Sequence, residues 1–295
     1  MKTYDLIIIG SGPAGITAGI YAKNFGLDCL IIGQEAGGLI NTAHKVDNYP
    51  GIFNISGKDL TKEFEKHRKH LKVELKKERV EMIDNFKVFT HKNQYQAKSL
   101  ILAFGTEQRK LNIVNKFEGK GVSYRMDDNT FLYKNKTIAV VGGANAAVMS
   151  TVALSEKAKK IYLIYRKENL RADNIWINKV KKLKNVEVIY KANIAEIKGK
   201  SRLERIILDN GKTLEISSLL IEAGTIPSAY LIKKMNIRTN KQGYIKVEKD
   251  QSTNIKGIFA AGDITTNSNE FRQITTACPE GAVAVLGVFN YLRYN

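Results

Sequence analysis

Residues 4–15 read Tyr-Asp-Leu-Ile-Ile-Ile-Gly-Ser-Gly-Pro-Ala-Gly, and this stretch decides the fold. The apolar run that ends at Gly10 predicts a buried strand. Helical periodicity follows over Pro13–Asn24, and a second apolar strand is predicted over Asp28–Ile32. A strand, a helix and another strand in this order favour a parallel sheet in an α/β protein.

The glycines of this turn have the spacing of a dinucleotide-binding fingerprint. Gly10 allows a tight turn, Gly12 lets the backbone approach a pyrophosphate, and Gly15 lets the helix pack closely on the strand. The N-terminus of the following helix offers free N–H groups to the phosphates. An acid commonly ends the second strand and binds the ribose. Here Glu35 stands just beyond that strand, and it is either this ligand or a surface acid.

The same organisation occurs a second time, about one domain further along the chain. A strand is predicted over Thr137–Val141, a helix over Ala146–Lys157 and a strand over Lys160–Tyr165. The turn between the first two is a degraded fingerprint, Gly-x-Ala-x-x-Ala, in which Ala144 replaces the glycine of closest approach. The candidate residues for a second dinucleotide are Gly143, Ala144, Asn145 and Ala146.

Three cations follow the last strand of this second unit. They are Arg166, Lys167 and, one helical turn further on, Arg171. Such a group suits a 2′-phosphate and favours NADPH over NADH. The alternative is that all three are solvated cations in a basic chain.

The composition limits the classes of partner. A chain of 295 residues predicts two domains, and its formal net charge is +18. The charge is interpreted in three ways: as solvated faces of a compositionally biased chain, as attraction to an acidic protein, or as attraction to nucleic acid. No nucleic-acid recognition motif accompanies the charge, so a nucleic-acid partner is not expected.

The sequence predicts a cytoplasmic protein without a membrane span. No apolar run approaches the roughly 18–20 residues that a span needs, and the N-terminus lacks the apolar region of a secretion signal. The two cysteines, Cys29 and Cys278, are expected to be free thiols. The four histidines show no metal-ligand spacing, so no metal is predicted.

The remaining segments complete an α/β pattern. We expect a charged helix, a β-meander, several short strands and a C-terminal helix. In chain order the segments are a helix over Asp59–Leu71, a meander over Lys76–Tyr95, a strand over Ser99–Phe104, short strands over Val186–Asp209, strands over Ser218–Glu222, Gly243–Val247 and Gly257–Gly262, and a helix over Ala277–Tyr294.

Several further motifs make a family resemblance specific. In order and spacing the chain resembles the low-molecular-weight thioredoxin reductases, class II pyridine nucleotide-disulfide oxidoreductases. The motifs are Gly37-Gly38, Asn48-Tyr49-Pro50-Gly51, Gly119 to Tyr124, Tyr165-Arg166-Lys167 with Arg171, Gly257 to Asp263 and Arg272-Gln273-Ile274-Thr275.

This resemblance implies the domain plan and the oligomeric state. It implies two Rossmann-like three-layer domains, with an NADPH domain over about 113–239 inserted into an FAD domain over about 1–112 and 240–295. Family members are usually homodimers through the FAD domain, and in the family the inserted domain rotates. We therefore expect a homodimeric flavoprotein that binds FAD and NADPH.

The resemblance also implies the FAD contacts. In the family the Asp of the Ala-Ala-Gly-Asp motif contacts the ribityl chain and Arg-Gln contacts the flavin ring, and here Asp263, Arg272 and Gln273 match these positions. The full set implied for FAD is Gly10, Gly12, Pro13, Ala14, Gly15, Glu35, Gly37, Gly38, Asn48, Val80, Ala103, Gly105, Gly262, Asp263, Arg272, Gln273 and Ile274.

The chain departs from the family at the redox-active dithiol. Where the family places Cys-x-x-Cys-Asp, this chain reads Arg125-Met126-Asp127-Asp128-Asn129, so that Arg125 and Asp128 replace the cysteines. Disulfide exchange needs a thiolate, and no CxxC occurs anywhere in the chain. The usual reduction of thioredoxin is therefore not expected. The replacing residues either face the flavin or lie in a solvated loop.

Cys278 stands near the flavin-contacting segment by resemblance, and Met149 stands where an acid usually follows the second fingerprint. Cys278 is either a thiol made reactive by a lowered pKa at a helix N-terminus or a small buried packing residue.

Three functions remain open from the sequence. The first is an NADPH-dependent flavoenzyme that passes electrons from FAD directly to ferredoxin, flavodoxin, a small disulfide or oxygen. Related ferredoxin–NADP reductases usually carry a C-terminal extension over the flavin, and because this sequence stops at Asn295 we do not expect a close match to them. The second is a non-catalytic FAD-binding sensor or partner protein, and the third is a flavoprotein reduced by ferredoxin instead of NADPH.

Overall fold

A computed structural model describes residues 2–111, 113, 116–126, 132–228, 231–232 and 234–294. The chain forms two units: unit 1 comprises residues 1–107 and 226–295, and unit 2 comprises residues 108–225. The chain passes from one unit to the other at 107/108 and 225/226, earlier than the sequence-based domain boundaries at 112/113 and 239/240. At these crossings the strands Thr106–Gln108 and Thr225–Pro227 pair with each other in a two-stranded sheet.

Strands and helices alternate over residues 6–76 and 137–190, and elsewhere most of the described strands follow one another. The strands are β1 Thr3–Tyr4, β2 Leu6–Ile9, β3 Cys29–Ile32, β4 Glu74–Lys76, β5 Val80–Asp84, β6 Lys87–Thr90, β7 Gln94–Ala97, β8 Leu100–Leu102, β9 Thr106–Gln108, β10 Val122–Ser123, β11 Thr137–Val141, β12 Lys160–Tyr165, β13 Val186–Tyr190, β14 Ile194–Lys198, β15 Arg205–Leu208, β16 Thr213–Glu215, β17 Ser218–Ile221, β18 Thr225–Pro227 and β19 Ile258–Ala260. The α-helices are α1 Pro13–Asn24, α2 Gly57–His70, α3 Asn145–Ser155, α4 Asn174–Lys181 and α5 Ile274–Tyr294.

Unit 1 is built on a parallel five-stranded sheet of order β19-β8-β2-β3-β4. Successive side chains of β2 point to opposite faces, as the strand period requires. Leu6 and Ile8 pack with α1 and α5, and Ile7 and Ile9 pack toward the antiparallel part of the unit. A four-stranded sheet of order β1-β7-β6-β5 supplies that part. The sheet is therefore covered on both faces, which explains why its strands are continuously apolar.

Unit 2 repeats this plan with a parallel five-stranded sheet of order β10-β17-β11-β12-β13. Ile138 and Val140 of β11 belong to a core that includes Ala147 and Val148 of α3. Ala139 of the same strand belongs to a separate core on the opposite side, shared with the antiparallel sheet β14-β15-β16. The alternation along β11 thus assigns one face to helices and the other to strands.

Most of the predicted elements are confirmed, and two are corrected. Helix α1 and strands β11 and β12 have the predicted bounds, and the predicted meander is present as β5–β7. The strand predicted over Gly243–Val247 is wrong, because Ile245 makes only isolated bridges with Thr239 and Thr265. No described helix is both long and apolar enough to cross a bilayer.

The last helix begins at Ile274 instead of Ala277, with Pro279 inside it. Its start is fixed by a local cap. The backbone N–H of Gln273 donates to Thr276 Oγ1 at 3.1 Å, and Thr276 Oγ1 donates to the Gln273 carbonyl at 3.0 Å. A hydroxyl that satisfies the first turn in this way defines a helix end more firmly than apolar periodicity does.

Candidate functional site

The first fingerprint turn requires glycine at two positions because backbone atoms occupy the space of a side chain. Gly10 has a φ of +116°, and a Cβ there would lie 2.2 Å from the carbonyl oxygen of Ala103. A Cβ on Gly15 would lie 1.9 Å from the carbonyl oxygen of Gly10. The turn, the start of α1 and the end of β8 are therefore in direct backbone contact.

Gly12 differs, because open space lies in front of it. The nearest atom to a Cβ at this position would be the carbonyl oxygen of Gly37, 4.0 Å away. Gly37 is held there by its N–H, which donates to the Ser11 carbonyl at 2.7 Å. Gly12 caps α1 without a side-chain hydrogen bond, and Pro13 takes the first helical position, where an N–H is not needed.

This cradle fits a pyrophosphate. The amide groups of Ala14 and Gly15 belong to the first turn of α1, where N–H groups have no intrahelical acceptor. Gly37 and Gly38, with φ values of +87° and +56°, bring a second backbone segment beside the turn without side chains. Backbone N–H groups around a side-chain-free space are what phosphate binding at a helix N-terminus requires.

Glu35 lies at the surface next to this cradle. Its carboxylate accepts a hydrogen bond from Asn41 Nδ2 at 3.0 Å, and its carbonyl accepts one from Ser11 Oγ at 2.8 Å. The backbone of the loop is thus tied to the fingerprint, while the carboxylate is exposed. Its role toward a ribose stays a prediction.

The residues matched to the flavin contacts lie close together in unit 1. Arg272 Nε donates to the carbonyl of Asp263 at 3.2 Å, and its guanidinium stacks over the ring of Tyr244 at 3.8 Å. Asn48 Nδ2 donates to Gln273 Oε1 at 3.0 Å. Ile274 follows directly as the first residue of α5.

Asp263 occupies a largely desolvated position. Burial raises the pKa of its carboxyl to about 6; Arg272 acts in the opposite direction and Glu280 in the same direction. A buried carboxyl without a full set of donors gains from polar groups of a ligand. Asp263 is therefore suited to receive hydroxyl groups, such as those of a ribityl chain.

Glu280 organises this region, although the sequence analysis did not identify it. Its buried carboxylate accepts from the Gly262 N–H at 2.7 Å, from Thr265 Oγ1 at 3.1 Å and from Ser268 Oγ at 2.5 Å. These bonds fasten the segment around Asp263 to α5. A signal was present in the sequence, since Glu280 is the only acid of the helix and lies among apolar residues.

The other positions matched to FAD differ in what surrounds them. Ala103 is buried against Gly10, and Gly105 has a φ of +64° with open space at its Cα. Val80 begins β5 and is half-buried against the core on the antiparallel side of the unit. The role of Val80 toward FAD stays a prediction.

The second fingerprint, in unit 2, also requires glycine where neighbouring atoms occupy the space of a side chain. Gly142 has a φ of +145°, and a Cβ there would lie 2.4 Å from the carbonyl oxygen of Glu222. A Cβ on Gly143 would lie 2.5 Å from the ring of Tyr165. Ala144 is the N-cap residue of α3, in an extended conformation and without a side-chain hydrogen bond. It stands at the fingerprint position where a glycine normally lets the backbone approach the pyrophosphate most closely, so that a methyl group lies there.

The side chain of Asn145 is already engaged. Its Oδ1 accepts from the backbone N–H of Asp173 at 2.8 Å, and its Nδ2 donates to the Asp173 carboxylate at 3.0 Å. The N–H of Arg171 donates to the Gly143 carbonyl at 2.6 Å. These bonds hold the loop after β12 against the fingerprint turn.

The three cations of this loop are exposed. Arg166 and Lys167 follow β12 directly, and Arg171 is bonded through its backbone to the fingerprint. Within the part of the chain that the structure describes, no salt bridge occupies any of the three side chains. They are available to an anionic group, as a 2′-phosphate would require.

Thiol chemistry is disfavoured at both cysteines. Burial raises the pKa of Cys29 to about 11, and it also raises the pKa of Cys278, against opposing hydrogen bonds with Thr17 and Tyr49. This direction speaks against the alternative of a Cys278 thiol with a lowered pKa. Of the residues that replace the dithiol, Arg125 is exposed and Asp128 lies outside the described residues.

Comparison with known proteins agrees with this geometry. The family model described as pyridine nucleotide-disulphide oxidoreductase matches residues 4–281. The chain is 36% identical over 304 residues to a 34.2 kDa protein in the rubredoxin operon of Clostridium pasteurianum, covering 99% of this chain and 98% of that protein. It is 35% identical over 306 residues to thioredoxin reductase of Mycoplasma pneumoniae, covering 98% and 95%.

Solved structures give the same result. Thioredoxin reductase of Lactococcus lactis superposes with a TM-score of 0.93 at 30% identity, covering 99% of this chain and all of that one. A ferredoxin-flavin thioredoxin reductase of Clostridium acetobutylicum superposes with a TM-score of 0.55 at 29% identity, covering 99% and 98%.

Both dinucleotide-binding turns thus occur in the fold that these relatives share, and the thioredoxin reductases of this family bind FAD and NADPH. The chain belongs to the pyridine nucleotide-disulphide oxidoreductase family and is a thioredoxin-reductase-like flavoprotein oxidoreductase.

Proposed function

We propose that this protein transfers electrons from NADPH to FAD and from FAD directly to an acceptor, without a catalytic dithiol. The observation that carries the proposal is the presence of two fingerprint turns in a chain whose two cysteines are free and have raised pKa values. When bound, FAD supplies hydride acceptance and onward electron transfer.

Unit 1 is the proposed FAD-binding unit, with residues 1–107 and 226–295. The amides at the start of α1 bind the pyrophosphate across the open face of Gly12. Asp263 holds the polar chain of the cofactor, and Arg272 and Gln273 orient the ring. Glu280 keeps Asp263 in place through the Gly262 turn.

Unit 2, residues 108–225, is the proposed NADPH-binding unit. The fingerprint at Gly142 and Gly143 positions the pyrophosphate at α3, and Arg166, Lys167 and Arg171 hold the 2′-phosphate. Ala144 restricts how closely the pyrophosphate approaches. We therefore expect weaker binding than an intact fingerprint would give.

Relatives of this chain are named thioredoxin reductases, but we propose that this protein does not reduce thioredoxin by the dithiol route. Arg125 and Asp128 cannot form a disulfide, and a thiol with a raised pKa contributes little thiolate at neutral pH. The acceptor then reacts with the flavin directly.

The proposed acceptor is an acidic electron carrier such as a ferredoxin or flavodoxin. The formal net charge of +18 attracts it, and the excess is concentrated in residues 108–225, which contain 23 Lys and Arg against 12 Asp and Glu. A small disulfide and oxygen are the other candidate acceptors.

We further propose a cytoplasmic location, as the sequence predicts, and a homodimer, as the resemblance implies. Val283 and Leu286 lie one turn apart on α5 and are 37% and 47% exposed. Exposed apolar side chains on one helix face of unit 1 support self-association through that unit.

A second candidate is a flavoprotein that ferredoxin reduces, without NADPH. Two observations favour it: Ala144 occupies the closest-approach position, and the Clostridium acetobutylicum relative is named a ferredoxin-flavin thioredoxin reductase.

Anaerobic stopped-flow absorbance separates these functions. The purified yellow protein is mixed with NADPH, with NADH or with reduced ferredoxin. Fast bleaching of the flavin band by NADPH supports the main proposal. Bleaching by reduced ferredoxin alone contradicts it in favour of the second candidate, and bleaching by none of them indicates a non-catalytic FAD-binding sensor.

A further inference from the structure

Glu222 lies at the carboxyl edge of the unit 2 sheet, directly beside the second fingerprint. Ile221 of β17 is the register partner of Val141 of β11, and the Glu222 N–H donates to the Val141 carbonyl at 2.8 Å. The next residues along the two strands, Gly142 and Glu222, are therefore adjacent. In open parallel sheets, ligands bind at this edge.

The fingerprint turn, the end of β17 and helix α3 meet at one point. A Cβ on Gly142 would lie 2.4 Å from the Glu222 carbonyl oxygen and 2.7 Å from Ala147 Cβ. From this point the Glu222 carboxyl hydrogen-bonds to Ser150, a buried residue one turn beyond Ala147 in α3. The carboxyl thus lies along the helix whose first turn faces the pyrophosphate of a bound dinucleotide.

The neighbouring elements bring little charge to this carboxyl. Burial raises the pKa of Glu222 to about 7, and the Ser150 hydroxyl acts in the opposite direction. Beyond the end of β10, on the other side of β17, Tyr124 is buried with its hydroxyl bonded to the Leu111 N–H, and Arg125 is exposed. No charge among the described residues contributes to the shift.

We propose that Glu222 belongs to the unit 2 nucleotide site and that the anionic dinucleotide binds there with the Glu222 carboxyl protonated. This inference rests on the proposed binding of NADPH by unit 2. A pyrophosphate at the first turn of α3 and a carboxylate beside the same helix repel each other in a poorly solvated site, whereas the neutral acid does not repel the pyrophosphate. Binding therefore takes up one proton from solvent onto a Glu222 carboxylate oxygen, and no other bond changes.

The test uses the FAD-loaded protein and NADP⁺, which binds without transferring electrons. Calorimetric titrations between about pH 6 and pH 8, in two buffers with different ionisation enthalpies, give the affinity and the number of protons taken up. Glu222→Gln keeps the size and the polarity of the side chain but removes the titration. Glu215→Gln, at an exposed position of β16, is the matched control. NAD⁺ is titrated in parallel, because it lacks the titrating 2′-phosphate.

For the natural protein we expect proton uptake that rises toward one per dinucleotide above neutral pH, with Kd increasing about tenfold per pH unit there. In Glu222→Gln this uptake and this slope disappear, while Glu215→Gln behaves as the natural protein. Equal proton uptake in Glu222→Gln and in the natural protein overturns the role of Glu222 but leaves the proposed function intact. The same holds if the natural protein binds NADP⁺ and NAD⁺ without taking up a proton. Absence of any dinucleotide binding by the natural protein overturns both.

Discussion

Glu280 accepts a hydrogen bond from the backbone N–H of Gly262 at 2.7 Å. This bond joins the loop after β19, the last strand of unit 1, to the C-terminal helix α5. Gly262 has a φ of +80°, and a Cβ there would lie 2.9 Å from Ala14 Cβ at the start of α1. One buried carboxylate therefore fixes the distance between the first fingerprint and Asp263. Both ends of the proposed FAD site depend on this link.

Replacing Glu280 should weaken FAD binding more than it weakens the fold. Glu280→Gln keeps an acceptor for one donor but loses the charge that three donors share, a change of about 1–3 kcal/mol. We expect the Kd for FAD, measured by flavin fluorescence, to rise by roughly one to two orders of magnitude. Glu248→Gln, at an exposed position of the same unit, should leave it unchanged. Equal FAD affinity in both variants would refute the positioning role.

The glycines of the first fingerprint should respond differently to the same methyl group. In Gly15→Ala the new Cβ meets the Gly10 carbonyl, so we expect a loss of stability of about 3 kcal/mol or more. In Gly12→Ala it enters open space, so the thermal midpoint of the apoprotein should hold while FAD affinity falls at least about tenfold. Circular dichroism melts and FAD titrations measure both quantities. A Gly12→Ala variant that binds FAD normally would contradict the proposed pyrophosphate cradle.

The Asp263 carboxylate should lower the free energy of unfolding of the apoprotein at neutral pH. Burial raises its pKa from the ordinary 3.8 to about 6, so the folded state binds the proton more tightly than the unfolded state does. Stability from this group is present below about pH 4 and is lost as the pH rises to about 6. Asp263→Asn should therefore stabilise the apoprotein by about 3 kcal/mol at pH 7 and by little near pH 4.

Urea unfolding of the FAD-free protein at both pH values measures this difference. The same variant should retain FAD less well, because the amide replaces a carboxylate that accepts from the cofactor. A stabilisation that does not depend on pH would show that the buried carboxyl is not its source.

Ala144 should limit the affinity of unit 2 for its dinucleotide. Removing its methyl group in Ala144→Gly restores the closest approach to the pyrophosphate, and glycine is well tolerated at a helix N-cap. We expect the Kd for NADP⁺ to fall by about tenfold, because the free energy gained by relieving one steric contact is of that order. Calorimetry on the FAD-loaded protein checks this, and the flavin spectrum should stay unchanged. Unaltered or weaker binding would show that Ala144 is not the limiting contact.

The parts of this molecule that were predictable from sequence depend on local contacts. The bounds of α1 follow from a fingerprint turn and a proline at the first helical position, all within a few residues. Gly243–Val247 contains apolar residues typical of a strand, but tertiary pairing reduces it to single bridges.

The two carboxyls that organise the sites were not predictable in the same way. Glu280 binds Gly262 across a sheet connection, and Glu222 reaches Ser150 from a strand far along the chain. Neither contact produces a residue spacing in the sequence that would form a recognisable motif. What the sequence did contain was an isolated acid in an apolar context at each position, which marks a buried carboxyl but not its partner.

The central claim is that FAD is the only two-electron centre of this protein. An anaerobic titration with dithionite, followed by absorbance of the flavin band, counts the electrons that each chain accepts. A flavin alone takes up two electrons per FAD, whereas a flavin with an exchanging disulfide takes up four. We expect the flavin to be fully reduced by two electrons, with no further uptake before excess reductant accumulates. Uptake of four electrons would contradict the account, because it would reveal a disulfide in redox exchange with the flavin.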